Sequence, residues 1–283
     1  MENNERELTE SPNNSKKLQP KIENVYSAHS SKKGLAGFFE WLLRRFRVGA
    51  FIAALIPVYL LGVLAMGLSA TPGIYFFNYV LEVSSGWPAI FRFASLGVGF
   101  FTAYMLYGFT LIFVIPFFNF IMPFRIKPFR GSYFSLQSVP WYVHNAFTYI
   151  ARYTFLEFVT PTPMNILFYR MMGMKIGKGV HINTTNISDP GLIEIGDRVT
   201  IGGSAPLMAH YGQKGYLVLS RVKIESGVTI GLKATIMGNV EIGKGAVIGP
   251  HEVVYPKSRI PAGRKPDTNG ITSRDERAAG AGY

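Results

Sequence analysis

The chain of 283 residues has no cysteine. That absence excludes disulfides, thiolate metal ligands and a cysteine nucleophile. Charge is also scarce: only 16% of residues are Asp, Glu, Lys or Arg, against 48% hydrophobic. Such a balance points towards a membrane protein. What charge there is leans basic, at +12. No helix-turn-helix, zinc-finger or RNA-binding motif accompanies it, so the expected partner is a bilayer with anionic headgroups and not nucleic acid. No cleavable signal peptide is expected, because the first apolar run begins late and is too long.

Residues 1–33 are polar and read as a disordered cytoplasmic tail. Residues 34–47, containing LAGFFEWLLRRFR, suit an amphipathic helix lying on a membrane surface. Residues 48–70 carry no charge and are long enough to span the hydrocarbon core, with Pro57 as a kink. A second apolar stretch, 89–124, is interrupted only by Arg92, and its span is expected near 95–121. The connection 71–88 holds no Lys or Arg, whereas Arg44, Arg45 and Arg47 precede the hairpin and Arg125, Lys127 and Arg130 come after it. The positive-inside rule then places both termini in the cytoplasm, as in a bacterial inner-membrane protein. Residues 125–172 read as a linker of interfacial or re-entrant helices, aromatic over 139–160 and resuming as a short helix over 164–172 that caps the C-terminal half. Residues 264–283 read as a flexible tail.

From Ile224 to Ile260 an aliphatic residue falls at every sixth position, through Ile230, Ile236, Ile242, Ile248 and Val254. Val218 extends the series backwards, and Ile195, Ile201, Leu207, Ile176 and Ile182 supply further steps. A period of six fits neither a helix face nor a simple strand; it is the period of a hexapeptide β-helix. Glycine often comes directly after the aliphatic residue, and a small or β-branched residue recurs four places on, as at Val228, Ala234, Val240 and Ala246. Two irregularities interrupt the series. Asp189-Pro190-Gly191 adds a residue, and between Leu207 and Val218 five residues are extruded as a loop that contains His210.

The stretches KIGKGVHINTT, IEIGDRVTIGG and VTIGLKATIMGNVEIGKGAVIGP resemble the left-handed β-helix, hexapeptide-repeat acyltransferases. FYRMMGMKIGKGVHI is similar to the membrane-anchored β-helix region of polylysine-synthetase-like proteins. The first resemblance implies an all-β left-handed parallel β-helix over 173–263, joined to the membrane α-helical hairpin of 48–124. It also implies a homotrimer, acetyl-CoA or acyl-CoA as co-substrate, no permanently bound cofactor, and His210 as general base. Histidine suits that role because its ordinary pKa lies near neutrality. Asp189 or Asp197 is the candidate to orient it. CoA would lie along the late coils, by Gly231, Lys233, Ala234, Gly249, Pro250, Arg264 and Lys265. His181, His210 and His251 are too widely spaced for a β-helix zinc site. The expected reaction moves an acyl group to a hydroxyl or amine of a membrane-proximal saccharide or lipid-linked acceptor. A non-catalytic trimeric scaffold and an export accessory protein are the alternatives.

Overall fold

A computed structural model describes residues 32–123 and 125–266. The expected tails at 1–33 and 264–283 lie almost wholly outside these residues. Helix α1 (Gly34–Arg45) leads into α2 (Arg47–Val83), and a five-residue turn leads into α3 (Ala89–Ile121). Helices α2 and α3 pack along each other and are long and apolar enough to cross a membrane, over Leu55–Val83 and Ala89–Ile121.

The hairpin differs from the sequence reading in its connection and at Arg92. Residues 71–83, read as part of the connection 71–88, continue α2. The reason is packing: a Cβ on Gly73 would sit 2.4 Å from the Ala103 carbonyl oxygen, so Gly73 is where the two helices approach most closely in that region. Pro72 is tolerated because long apolar helices re-satisfy freed backbone groups with neighbours; Thr71 Oγ1 donates to Gly67 O nearby. The first apolar helix therefore runs to Val83, well beyond 70, and the connecting turn is short. Arg92, expected at an interfacial turn, lies in the first turns of α3.

Helix α4 (Val139–Ala151) runs on through a π-helical segment, Arg152–Leu156, and α5 (Pro163–Met171) comes next. This helical layer binds α3 to the solenoid. Phe147 packs on Phe118, Tyr104 donates its hydroxyl to Thr154 O, and a Cβ on Gly108 would overlap the Phe155 ring at 1.9 Å. α5 caps the first coil: Asn165 Nδ2 donates to Ile182 O at 2.8 Å, and Phe168 and Tyr169 are fully buried.

Residues 175–260 form the parallel β-solenoid, four complete three-sided coils and the first strand of a fifth. Its faces stack Ile176, Ile195, Ile224, Ile242 and Ile260; Ile182, Ile201, Ile230 and Ile248; and Ile187, Leu207, Ile236 and Val254. Val199, Val228, Ala234, Val240 and Ala246 fill the interior with no exposure.

Val218 is not a coil position. Leu207 and Ile224, expected to be separated by one further coil step, bracket an excursion of antiparallel strands, His210–Gln213 and Tyr216–Leu219. Val218 pairs with Tyr211 on one side and Arg130 on the other. The excursion is thus a full hairpin and not a five-residue loop. It recruits a third strand, Phe129–Ser132, from the segment just after α3.

Candidate functional site

The Asp189-Pro190-Gly191 irregularity and the hairpin meet. Asp189 adopts a left-handed backbone (φ 60°) at the start of a 3-10 turn, where the short polar side chain of Asp is tolerated. The bend puts its carboxylate beside the residue that leaves the second coil. His210 Nδ1 lies 2.6 Å from Asp189 Oδ2. Asp189 is fully buried, and Asn145 Nδ2 from α4 donates to its other oxygen at 2.8 Å, while the Ala209 backbone N–H donates to Oδ2 at 3.1 Å. Three donors thus hold a carboxylate that has no access to water, the condition under which a buried charge is tolerated.

A carboxylate only accepts, so Nδ1 carries the proton and donates it, which leaves Nε2 as the basic nitrogen. His210 is partly exposed, with 22% of its side chain open. Trp141 packs edge-to-face on the imidazole, with ring centroids 5.2 Å apart. The ring is therefore fixed on one nitrogen by a buried anion, braced on one face by an indole, and open to the outside. This arrangement can take a proton from a hydroxyl or amine and return it to a leaving group.

Sequence reasoning named Asp189 and Asp197 as possible orienting carboxylates. The structure brings Asp189 to His210; Asp197 instead accepts from the Lys178 backbone N–H at 2.7 Å, at a coil corner. Asn145 and Trp141 were missed as members of the site. Their signal was there, a polar residue four places after an aromatic on an amphipathic helix, but nothing in the sequence joined α4 to residue 189.

His144 Nδ1 lies 2.9 Å from Asn119 Oδ1 of α3. Burial pushes its pKa down to about 4, with the charge of Asp189 opposing part of that drop. It is therefore neutral at pH 7 and ties α4 to α3. His181 and His251 are exposed, His251 at a corner with φ 59°. Among the described residues no cluster of three or more potential metal ligands forms.

The CoA candidates are scattered in role. Ala234 is fully buried, so its methyl fills the solenoid interior and faces no ligand. A Cβ on Gly231 would stand 2.5 Å from Pro250 N, so glycine is required there by the next coil. Gly249 packs against Pro266 and its N–H donates to Glu252. Arg264 is engaged: its guanidinium binds Glu252 Oε2 at 2.8 Å and the Val247 carbonyl at 3.1 Å, closing the last coil. Lys233, Pro250 and Lys265 stay on the outside, Lys233 at a corner with φ 54°.

No family model matches the chain. It is similar to a delta-poly-L-ornithine synthetase of Acinetobacter baumannii (strain AB307-0294), 29% identical over 108 residues. That match takes in 38% of this chain and 8% of that protein's length, so the chain spans a small part of its curated relative. Among solved structures it is similar to a maltose O-acetyltransferase from Clostridium difficile 630. There the TM-score is 0.37 at 18% identity, covering 49% of this chain and 87% of that one. A hexapeptide-repeat acetyltransferase from Vibrio cholerae gives a TM-score of 0.33 at 15% identity, covering 43% and 83%. The N-acyltransferase AntD from Bacillus cereus gives 0.21 at 16%, covering 42% and 96%.

Proposed function

We propose that the protein is an acyltransferase held at a membrane. It moves an acetyl or longer acyl group from CoA to a hydroxyl or amine of a lipid-linked or saccharide acceptor. The observation that carries this reading is the 2.6 Å contact between His210 Nδ1 and the buried Asp189 carboxylate, on the excursion that breaks the hexad pattern.

The chemistry derives from the tautomer. The acceptor O–H or N–H gives its proton to His210 Nε2 as the oxygen or nitrogen bonds to the thioester carbonyl carbon. Asp189 stabilises the imidazolium that forms. The tetrahedral intermediate then collapses, the C–S bond breaks, and the Nε2 proton passes to the departing CoA sulfur. Atoms and charge balance without a covalent enzyme intermediate. CoA is assigned to the outer surface of the late coils, by Lys233, Pro250 and Lys265.

Attachment to a membrane rests on the burial pattern of α1, which is inverted relative to a soluble helix. Glu40 and Arg44 are buried and paired at 2.7 Å, while Leu35, Phe38, Phe39 and Trp41 point outwards. An apolar face turned away from the protein fits a bilayer interface. α2 and α3 continue it with Ile56, Leu60, Val63, Phe93, Phe100 and Phe113 exposed. A homotrimer is the assembly implied by the resemblance to hexapeptide-repeat acyltransferases.

Thermal-shift titration tests the donor. CoA and acetyl-CoA should raise the melting temperature of wild type and of His210→Ala alike. No shift with either would remove CoA from the reading and leave a non-catalytic solenoid.

A further inference from the structure

Between Glu82 and Glu157 the chain has no Asp or Glu. At the end of α3 this acid-free stretch opens into a groove of about 540 Å³, lined by Arg125, Lys127, Phe129, Arg130, Gln137 and Pro140. The three cations have no carboxylate partner among the described residues. Arg125 donates one nitrogen to Phe120 O at 2.9 Å, and Arg130 lies over the Tyr216 ring at 5.1 Å. Both are thereby positioned while keeping donors to offer, and Lys127 is exposed. Positive charge placed only for topology needs no concavity; here it lines one.

The groove also adjoins the His210 site. Phe129 in its wall is in register with Leu219, which is in register with His210. Two strand spacings separate the backbones of Phe129 and His210, about 10 Å. On the other wall, Pro140 precedes the Trp141 that packs on the imidazole. An apolar slot lined by Leu55, Val58, Val139, Tyr142 and Val143 borders the same start of α4, between it and α2.

We propose that this groove binds the phosphate of a membrane lipid, and that the phosphate is the handle by which the acyl acceptor is held. The inference rests on the acyl-transfer reading for its purpose, but not for its test. Arg and Lys converging without a competing acid select an anionic phosphate oxygen. A groove wall whose backbone stands two strand spacings from that of His210 suits an acceptor group held beyond the phosphate and not on it. It calls for a headgroup that extends beyond it, as a phosphate-linked saccharide does. A lipid is favoured over free phosphate because the groove opens where an apolar helix ends and an apolar slot begins.

Native mass spectrometry of the detergent-purified protein tests this with phosphatidylglycerol, phosphatidylcholine and inorganic phosphate as probes. Wild type should retain phosphatidylglycerol in preference to phosphatidylcholine. Lys127→Gln/Arg130→Gln should weaken that retention roughly thirtyfold. Lys127→Arg, which keeps the charge, should bind as wild type does, and matching melting temperatures exclude misfolding as the cause. His210→Ala should bind lipid unchanged, so failure of the catalytic reading leaves this test intact. Equal retention of phosphatidylglycerol by wild type and the double variant overturns the proposal. So does indifference between the two lipids, or displacement of phosphatidylglycerol by millimolar inorganic phosphate.

Discussion

Asp189→Asn keeps the shape of the buried carboxylate and removes its charge. Its Oδ2 accepts from both His210 Nδ1 and the Ala209 N–H, at 2.6 and 3.1 Å. An amide nitrogen there would face a backbone donor that cannot move, so the amide oxygen occupies that position. The amide NH2 then faces Asn145, which turns its own oxygen towards it and loses the 3.0 Å bond to Trp141 O. His210 therefore keeps its tautomer and loses the anion that stabilises its protonated form. A charge-assisted hydrogen bond exceeds a neutral one by about 1–2 kcal/mol. Turnover should fall roughly five- to thirtyfold with KM for acyl-CoA unchanged. If the amide instead turned its NH2 to the imidazole, the tautomer would invert and the loss would approach about ten thousandfold. The assay is release of the CoA thiol, read with a thiol-reactive dye; the protein has no cysteine, so it contributes no background. Unchanged turnover in Asp189→Asn would refute the claim that Asp189 supports a proton transfer.

Three further outcomes are expected. Ile236→Asp buries an unpaired charge in a solenoid position with no exposure, at a cost of more than about 4 kcal/mol; unchanged melting would contradict the coil register. Gly108→Ala should lower the melting temperature, because its Cβ would overlap the Phe155 ring, whereas Gly97→Ala, with nothing within 4 Å, should not; equal melting of the two would contradict the packing of the π-helical segment on α3. Burial holds His144 near pKa 4, below its ordinary 6.5, so the unfolded chain binds its proton first. Stability is then full above about 6.5 and lost as pH falls towards 4, by roughly 3 kcal/mol; His144→Gln should flatten that slope in a pH series of denaturation midpoints.

The solenoid was legible because its period is carried by adjacent steps of one chain, each contact repeating the last. Val218 was misplaced for a physical reason: a hairpin strand alternates with period two, which divides six, so a residue six before Ile224 fits both patterns. The strand at Phe129–Ser132 was illegible. Its four residues show no alternation, and its partner lies some ninety positions away at Tyr216–Leu219. His210 could be singled out because it sits where the hexads fail. Its partner could not be chosen between Asp189 and Asp197, because only the left-handed bend at Asp189 turns the carboxylate towards the second coil. The continuation of α2 past residue 70 was not legible, because what favours it is the close approach of Gly73 to Ala103 of α3, a contact between distant parts of the chain.

The central claim is that His210, held by Asp189, moves an acyl group from CoA at the membrane. Membranes carrying wild type or His210→Ala should be incubated with acetyl-CoA radiolabelled in the acetyl group, and lipid-extractable and water-soluble products counted separately. Wild type should transfer label to product, and His210→Ala should transfer about a hundredfold less or lower still, with acyl-CoA affinity intact. Equal transfer by the two proteins, or none by wild type above membranes lacking it, would contradict the account.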